Sequence, residues 1–277
     1  MLSPGIHRDV SRADYDADPG LNQSLVKKFA EARTPAHFKY DQEHAEQPDT
    51  DSIRIGNAVD WTIFEPTSLP RRLIVWPGER RGKDWAAFKE EHKAKVILSQ
   101  AESLRAIGAV DALLHNTDSS RWISSSEHQV MIIAEHPDFK IRMKGLLDML
   151  PPKAYGWVGD LKTTMDASAE GFALQSFKMG YHVQAAYYLD LLKFAGEPAE
   201  YFGFICVENE PYHGVAIHGI HHLSAEAQLG RQTYESAIVA LSRHRTENVW
   251  PAYPNDWSKI TYKPWQLKPQ EEFKAIV

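Results

Sequence analysis

The spacing of apolar residues divides the chain into a helical first part and a second part in which the period changes to two. In NQSLVKKFAEAR (22–33) Leu25, Val26 and Phe29 recur at helical spacing, and Thr34-Pro35 ends a predicted short helix. DADPG (16–20) reads as a turn, and IRIGNAVDWTIFEP (53–66) predicts an apolar helix with Pro66 just beyond it. Residues 83–116 read as one or two polar-amphipathic surface helices. EHQVMIIA (127–134) is a strand candidate, followed by a turn at EHPD (135–138). In FKIRMKGLLDML (139–150) alternation puts Phe139, Ile141, Met143, Leu147 and Met149 on one face, and Arg142, Lys144, Leu146 and Asp148 on the other. PPKAYG (151–156) turns the chain into WVGDLKT (157–163), where Asp160 and Lys162 share a face. Residues 170–196 predict one long helix, capped by Gly196. YFGFICVE (201–208) and YHGVAIHGI (212–220) follow as strands, and residues 224–245 as a further helix. The expected fold class is α/β (α+β), a central mixed β-sheet flanked by helices.

Length and composition bound this picture without changing it. A chain of 277 residues, 43% of them hydrophobic, can bury a sizeable core, either as one large domain or as a domain with an appendage. No apolar run approaches the roughly 20 residues that span a bilayer. The first twenty residues lack the apolar core of a secretory signal, so the expected location is the cytoplasm. Cys206 is the only cysteine, which excludes internal disulfides, a cysteine-ligated zinc site and an iron–sulfur cluster held by this chain alone. The net charge of -6 at first argues against a polyanionic partner, but RRLIVWPGERRGK (71–83) sets five basic residues against one acid. That run reads either as a solvated loop or as a nucleic-acid contact.

Charged residues inside strands are unfavourable unless something outside the core needs them. Two adjacent strands here each present a carboxylate, Asp148 and Asp160, and the second adds Lys162. Mg²⁺ takes oxygen ligands, often one or two carboxylates completed by substrate phosphate, and the Leu161 carbonyl could supply another. A lysine beside such a site could orient a nucleophilic water or neutralise developing charge. From strand parity alone, an exposed sheet face with one Asp–Lys pair reads equally well. Phe177, Tyr181, Gln184, Tyr188 and Leu191 form one helical stripe, interrupted by the polar Gln184. The three histidines of HGIHH (218–222) read as surface or edge residues, and the tryptophans as packing.

GLLDML…VGDLKTT…GYHVQAAYYLDLL resembles the PD-(D/E)XK nuclease superfamily, specifically the RecE-type (exonuclease VIII-like) phage and prophage exonucleases. There a D…DxKTT core is followed by a helix with a QxxxY signature, here Asp148, Asp160, Lys162, Gln184 and Tyr188. The resemblance takes in most of the chain, including ADYDADPGLNQSLVKKF…TPAHFKY, IGNAVDWTIFEP, RRGKDWAAFKEEHK and WPAYPNDW. It departs at GNAVD, where Asp60 stands for the family's usual metal-binding histidine, and at Leu147, which stands for the proline of the family name. The resemblance implies a single nuclease domain: an N-terminal extension (1–52), a core (53–250) with a helical insertion around 83–116, and a tail (251–277).

It further implies a Mg²⁺- or Mn²⁺-dependent exonuclease that digests one strand of duplex DNA from the 5′ end and leaves 3′ tails for a RecT-like annealing protein. Asp60, Asp148, Asp160 and the Leu161 carbonyl would hold the metal, Lys162 would be the catalytic cation, and Gln184 and Tyr188 would position the scissile strand or the lysine. Family members form rings around DNA, and a basic channel would reconcile the acidic total with phosphate binding. Arg71, Arg72, Arg80, Arg81, Lys83, Arg142 and Lys144 are the candidates for its lining. Two alternatives remain open, an endonuclease of the same core and a catalytically silent DNA-binding or assembly subunit. A helicase-associated relative with a four-cysteine cluster does not fit Cys206 alone.

Overall fold

In the computed structural model, which describes residues 2–44 and 48–267, the period-two segments form the middle of a seven-stranded mixed sheet. The chain begins with β1 (Gly5–His7), α1 (Arg12–Ala17), β2 (Leu21–Asn22), α2 (Gln23–Glu31), α3 (Pro35–His44) and α4 (Asp51–Phe64). It continues through α5 (Leu69–Arg72), β3 (Leu73–Trp76), α6 (Gly82–Glu91), β4 (Val96–Ser99), α7 (Gln100–His115) and α8 (Thr117–Ser125). The meander β5 (Glu127–Glu135), β6 (Arg142–Leu150) and β7 (Trp157–Thr164) follows. Helices α9 (Ala169–Lys178) and α10 (Tyr181–Phe194), strands β8 (Tyr201–Glu208) and β9 (Val215–His221), and α11 (Ala225–Glu247) complete it.

The strand order is β1-β5-β6-β7-β8-β9, antiparallel except where β7 and β8 run parallel across the α9–α10 connection. Strands β6 and β7 share a single registered pair, Met149 with Gly159. Beyond that rung β2 pairs with β6 instead, at Met143 and Lys144. The sheet therefore forks, and Asp148 and Asp160 are the first residues past the last shared rung.

Each face of the sheet carries a core. On one, Ile132, Met143, Leu147, Val158, Phe202 and Phe204 pack against α2, α10 and α11. On the other, Met149, Leu161, Ile205 and Val207 pack against α4 and α7. Gly56 brings α4 close to β7, since a Cβ there would lie 3.1 Å from Thr163 Oγ1. Asp60, one turn further along the same helix face, is thereby directed towards the fork.

Several expectations are corrected. The predicted helix over 170–196 is two helices, because Gly180 adopts φ 65° between them. Phe177 consequently leaves the proposed stripe and is 71% exposed on α9. The segment 83–116 is not all surface: Ala106, Ala109, Val110 and Leu113 of α7 are buried against α4. A parallel pair, β3 with β4, brackets α6. Within the N-terminal extension, β1 and β2 belong to the main sheet. Met149 does not share a face with Leu147: although of equal parity, they enter opposite cores. Among the described residues no helix is long and apolar enough to cross a membrane.

Candidate active site

The fork positions the charged residues. Val158, Asp160 and Lys162 alternate onto the α10 side of β7, opposite Phe202, Phe204 and Cys206 of β8. Leu161 turns its side chain into the α4–α7 core, which leaves its main chain between the two charged residues. Lys162 Nζ forms an ion pair with Asp160 Oδ2 and sits 4.9 Å above the Tyr181 ring. Burial opposes the charge on Lys162, but Asp160, Tyr181 and Asp148 outweigh it and hold the ammonium above its ordinary range.

Gln184 and Tyr188, four residues apart on α10, both serve the strands rather than the lysine. Gln184 Nε2 donates to Asp160 Oδ1 at 2.7 Å. The Tyr188 hydroxyl donates to the Leu146 carbonyl at 2.8 Å, and the Tyr187 hydroxyl lies 3.0 Å from the Lys144 carbonyl and bonds the Leu21 carbonyl. These phenols thus satisfy β6 carbonyls beyond the rung that β7 shares. Gly145 makes room for them, because a Cβ there would lie 2.6 Å from the Tyr188 ring.

Asp148 and Asp60 complete a crowded acidic site. Burial, then the charges of Asp160 and Asp60, push the Asp148 carboxyl well above the usual range. Burial, then Asp160 and Glu65, push Asp60 up to about 7 despite Lys162 and Arg72. Gln129 is the site residue that the sequence pattern missed. On β5, between the registered pairs His128–Met149 and Val130–Leu147, it donates its amide to Asp148 Oδ1 of β6 at 3.3 Å and has φ 52°. A non-glycine residue in that region carries about 1–3 kcal/mol of strain. Alternation gave no signal for it, since a left-handed residue in a strand leaves no mark on apolar spacing.

Most of the basic set is engaged within the fold, and Lys144 is withdrawn from any channel lining. Lys144 is buried, with Nζ donating to the Tyr15 and Asp18 carbonyls at 2.6 Å. Arg142 is bound to Asp18 and the Leu2 carbonyl. Arg72 is paired with Glu65 across the Trp61 ring, Arg80 with Glu102, and the exposed Arg81 with its neighbour Glu79. Arg71 and Lys83 are exposed and have no acidic partner among the described residues. A cavity of about 530 Å³ lies beside Gln129, lined also by Trp61, Glu65, Arg72, Lys93 and Lys95, of which Lys93 pairs with the exposed Glu90 and Lys95 donates to the Pro70 carbonyl. It meets a second, of about 480 Å³, that shares Lys93 and Lys95 and reaches Trp85 and Lys89. Glu127 is paired with Arg8, and Trp122 stacks on Trp157. His218 and His222 contact the Ala167 and Glu200 carbonyls.

The profile of a family described as a PDDEXK-like domain of unknown function (DUF3799) matches residues 22–259. This chain is a PDDEXK-like protein. The solved structure of a putative exonuclease from Eubacterium rectale superposes on the PDDEXK-like chain with a TM-score of 0.62, at 16% identity, over 94% of this chain and 98% of that one. A phage-related exonuclease from Haemophilus somnus 129PT aligns at a TM-score of 0.35, with 13% identity and 83% and 96% coverage of the two chains. An alkaline exonuclease from Laribacter hongkongensis aligns at 0.30, with 11% identity and 83% and 95% coverage. No curated protein matches the sequence.

The PDDEXK-like site fits a hard divalent cation on its own chemistry. Three carboxyls face one ammonium, and Asp160 Oδ2 is buried with no hydrogen-bond donor among the described residues, its ion pair to Lys162 apart. No three acidic, histidine or cysteine side chains among the described residues are gathered tightly enough to form a metal cage by themselves. Mg²⁺ does not need such a cage, because one or two carboxylates with waters and substrate phosphate suffice.

Proposed function

We propose that this protein is a Mg²⁺- or Mn²⁺-dependent exodeoxyribonuclease of the RecE type, digesting one strand of linear duplex DNA from the 5′ end. The carrying observation is the Asp160–Lys162 pair at the fork, with Asp148 at its side and Asp60 directed at it from α4. Asp148 and Asp160 would hold the cation, with Asp60 as third carboxylate and the Leu161 carbonyl beside them. Bound there, a divalent cation supplies an acidified water and charge neutralisation at the phosphodiester. The chain's own groups do the positioning. Gln184 fixes Asp160, and Asp160 in turn holds Lys162 charged against the centre where negative charge develops. Product 3′ tails would pass to a RecT-like annealing protein, and a homo-oligomeric ring would keep the enzyme on its duplex.

The test uses linear duplex DNA labelled separately at its 5′ and 3′ ends, with Mg²⁺, beside a closed circle. Early release of 5′ label with the circle intact is expected. Cutting of the circle would favour an endonuclease, and no cutting with Mg²⁺ or Mn²⁺ a silent subunit.

The paired cavities supply a track for the backbone. Replacing Lys93 and Lys95 together by Ala is expected to weaken duplex binding about five- to tenfold near 0.1 M salt. The dependence of log affinity on log salt should become shallower by about 2. An unchanged slope would move the track elsewhere.

A further inference from the structure

We infer that Gln129 is the positioning residue for Asp148, turning its carboxylate out of the sheet and holding one oxygen so that the other faces the divalent cation. The inference rests on the metal-dependent reading of the site.

Three observations along this stretch of the β5–β6 ladder carry it. The rung His128–Met149 points to the α4–α7 side, where His128 meets Phe64 and Met149 belongs to the same core as Leu161. Two residues on, in the rung Val130–Leu147, Leu147 belongs to the opposite core with Ile132 and Met143. Regular strands keep residues two apart on one face, so the ladder must turn over between these rungs. Between them the ladder has no registered pair: Gln129 and Asp148 stand there linked by their side chains, and Gln129 is the non-glycine strand residue with φ 52°. Asp148 therefore emerges where the two cores meet, at the mouth of the fork, instead of within either core.

The side chain explains why a glutamine occupies a position whose backbone suits glycine. Its Nε2 donates to Asp148 Oδ1, as Gln184 Nε2 donates to Asp160 Oδ1, so each strand carboxylate has one oxygen held by an amide. An amide donor favours the ionised carboxylate without adding charge. A lysine there would compete with the cation, and a glutamate would add a fourth carboxyl to the cluster.

Two variants of the full chain test this, each read in three ways. Gln129→Gly keeps the left-handed backbone and removes the amide. Gln129→Asn tolerates the same backbone but is one methylene too short to reach Asp148. Mn²⁺ binding, measured by the electron-spin signal of free Mn²⁺ in the absence of DNA, is expected to weaken about tenfold in both. The metal-free melting temperature should hold in both or rise in Gln129→Gly. The metal concentration for half-maximal cleavage should rise by the same factor as the Mn²⁺ dissociation constant. Unchanged Mn²⁺ affinity in both variants would overturn the inference. So would a fall of the metal-free melting temperature in both, which would make Gln129 a residue of strand folding. Because Mn²⁺ binding is read without DNA, a wild-type chain that binds Mn²⁺ but cuts nothing would remove the nuclease reading alone.

Discussion

Asp148→Asn is expected to abolish cleavage, by at least about 10³-fold, while making the metal-free protein more stable than the wild type at pH 8. In the unfolded chain this carboxyl ionises in the ordinary range, whereas in the fold burial and the charges of Asp160 and Asp60 hold its proton on. A carboxyl raised in the folded state costs stability once the pH passes its unfolded value, and the cost grows until the pH reaches the folded value. Asparagine removes that cost together with the proposed ligand. Added Mg²⁺ should reverse the order, since a ligand at about 100 times its Kd stabilises the wild type by about 2.7 kcal/mol and the variant by none. Paired thermal melts in chelator and in Mg²⁺ test this, and a variant melting below the wild type in chelator would remove the argument that the site stores repulsion for a cation.

The largest stability effect is expected away from the fork. Glu102 is 4% exposed and accepts from Arg54 on α4, from Arg80 ahead of α6, and from the Ser99 N–H that begins α7. It thus ties the β3–β4 pair to the core helices through one carboxylate. Glu102→Ala leaves two guanidinium groups facing each other and should cost about 3–5 kcal/mol, or about 10 °C in melting temperature. Burial would raise this carboxyl, but Arg54, Arg80 and the Ser99 N–H outweigh it and hold it at about 2 against an ordinary 4.5. The sign follows: the contribution is complete above pH 4.5 and is lost as the pH falls towards 2, about 3 kcal/mol across that window. Glu102→Gln should therefore flatten the acid limb of urea midpoints measured between pH 5 and pH 2. A limb as steep as the wild type's would assign acid sensitivity to other groups.

What the sequence made legible follows from where physics writes into spacing. Strands β5 to β8 and helices α4 and α11 alternate or repeat over seven residues or more, enough for period to appear. Asp160, Lys162 and Gln184 were readable because polar groups in otherwise apolar elements stand out, and all three meet in the fold. β1 and β2, three and two residues long, are too short to have a period. β3 and β4 take their identity from each other across a gap of nineteen residues. Arg142 and Lys144 were misread for a related reason. Alternation gives a side chain's face but not what covers it, and here the segment around Asp18 folds over that face to accept both cations. Gln129 needs a backbone angle that no residue spacing encodes.

The insertion of β2 into the gap that β7 leaves sets the order in which the molecule can be made. Arg142 meets Asp18 across a sequence separation of 124, and the Lys144 ammonium meets the Asp18 carbonyl across one of 126. During synthesis, β1 and β2 wait beyond the ribosome with open edges until β5 and β6 follow, some ten seconds later at roughly 10 residues per second. Contacts of such long sequence separation slow folding, because loop closure must be met before the contacts return anything. The fork is consequently among the last features to form. A nascent chain would carry its acidic cluster unassembled, and therefore inert, until the sheet has closed around it.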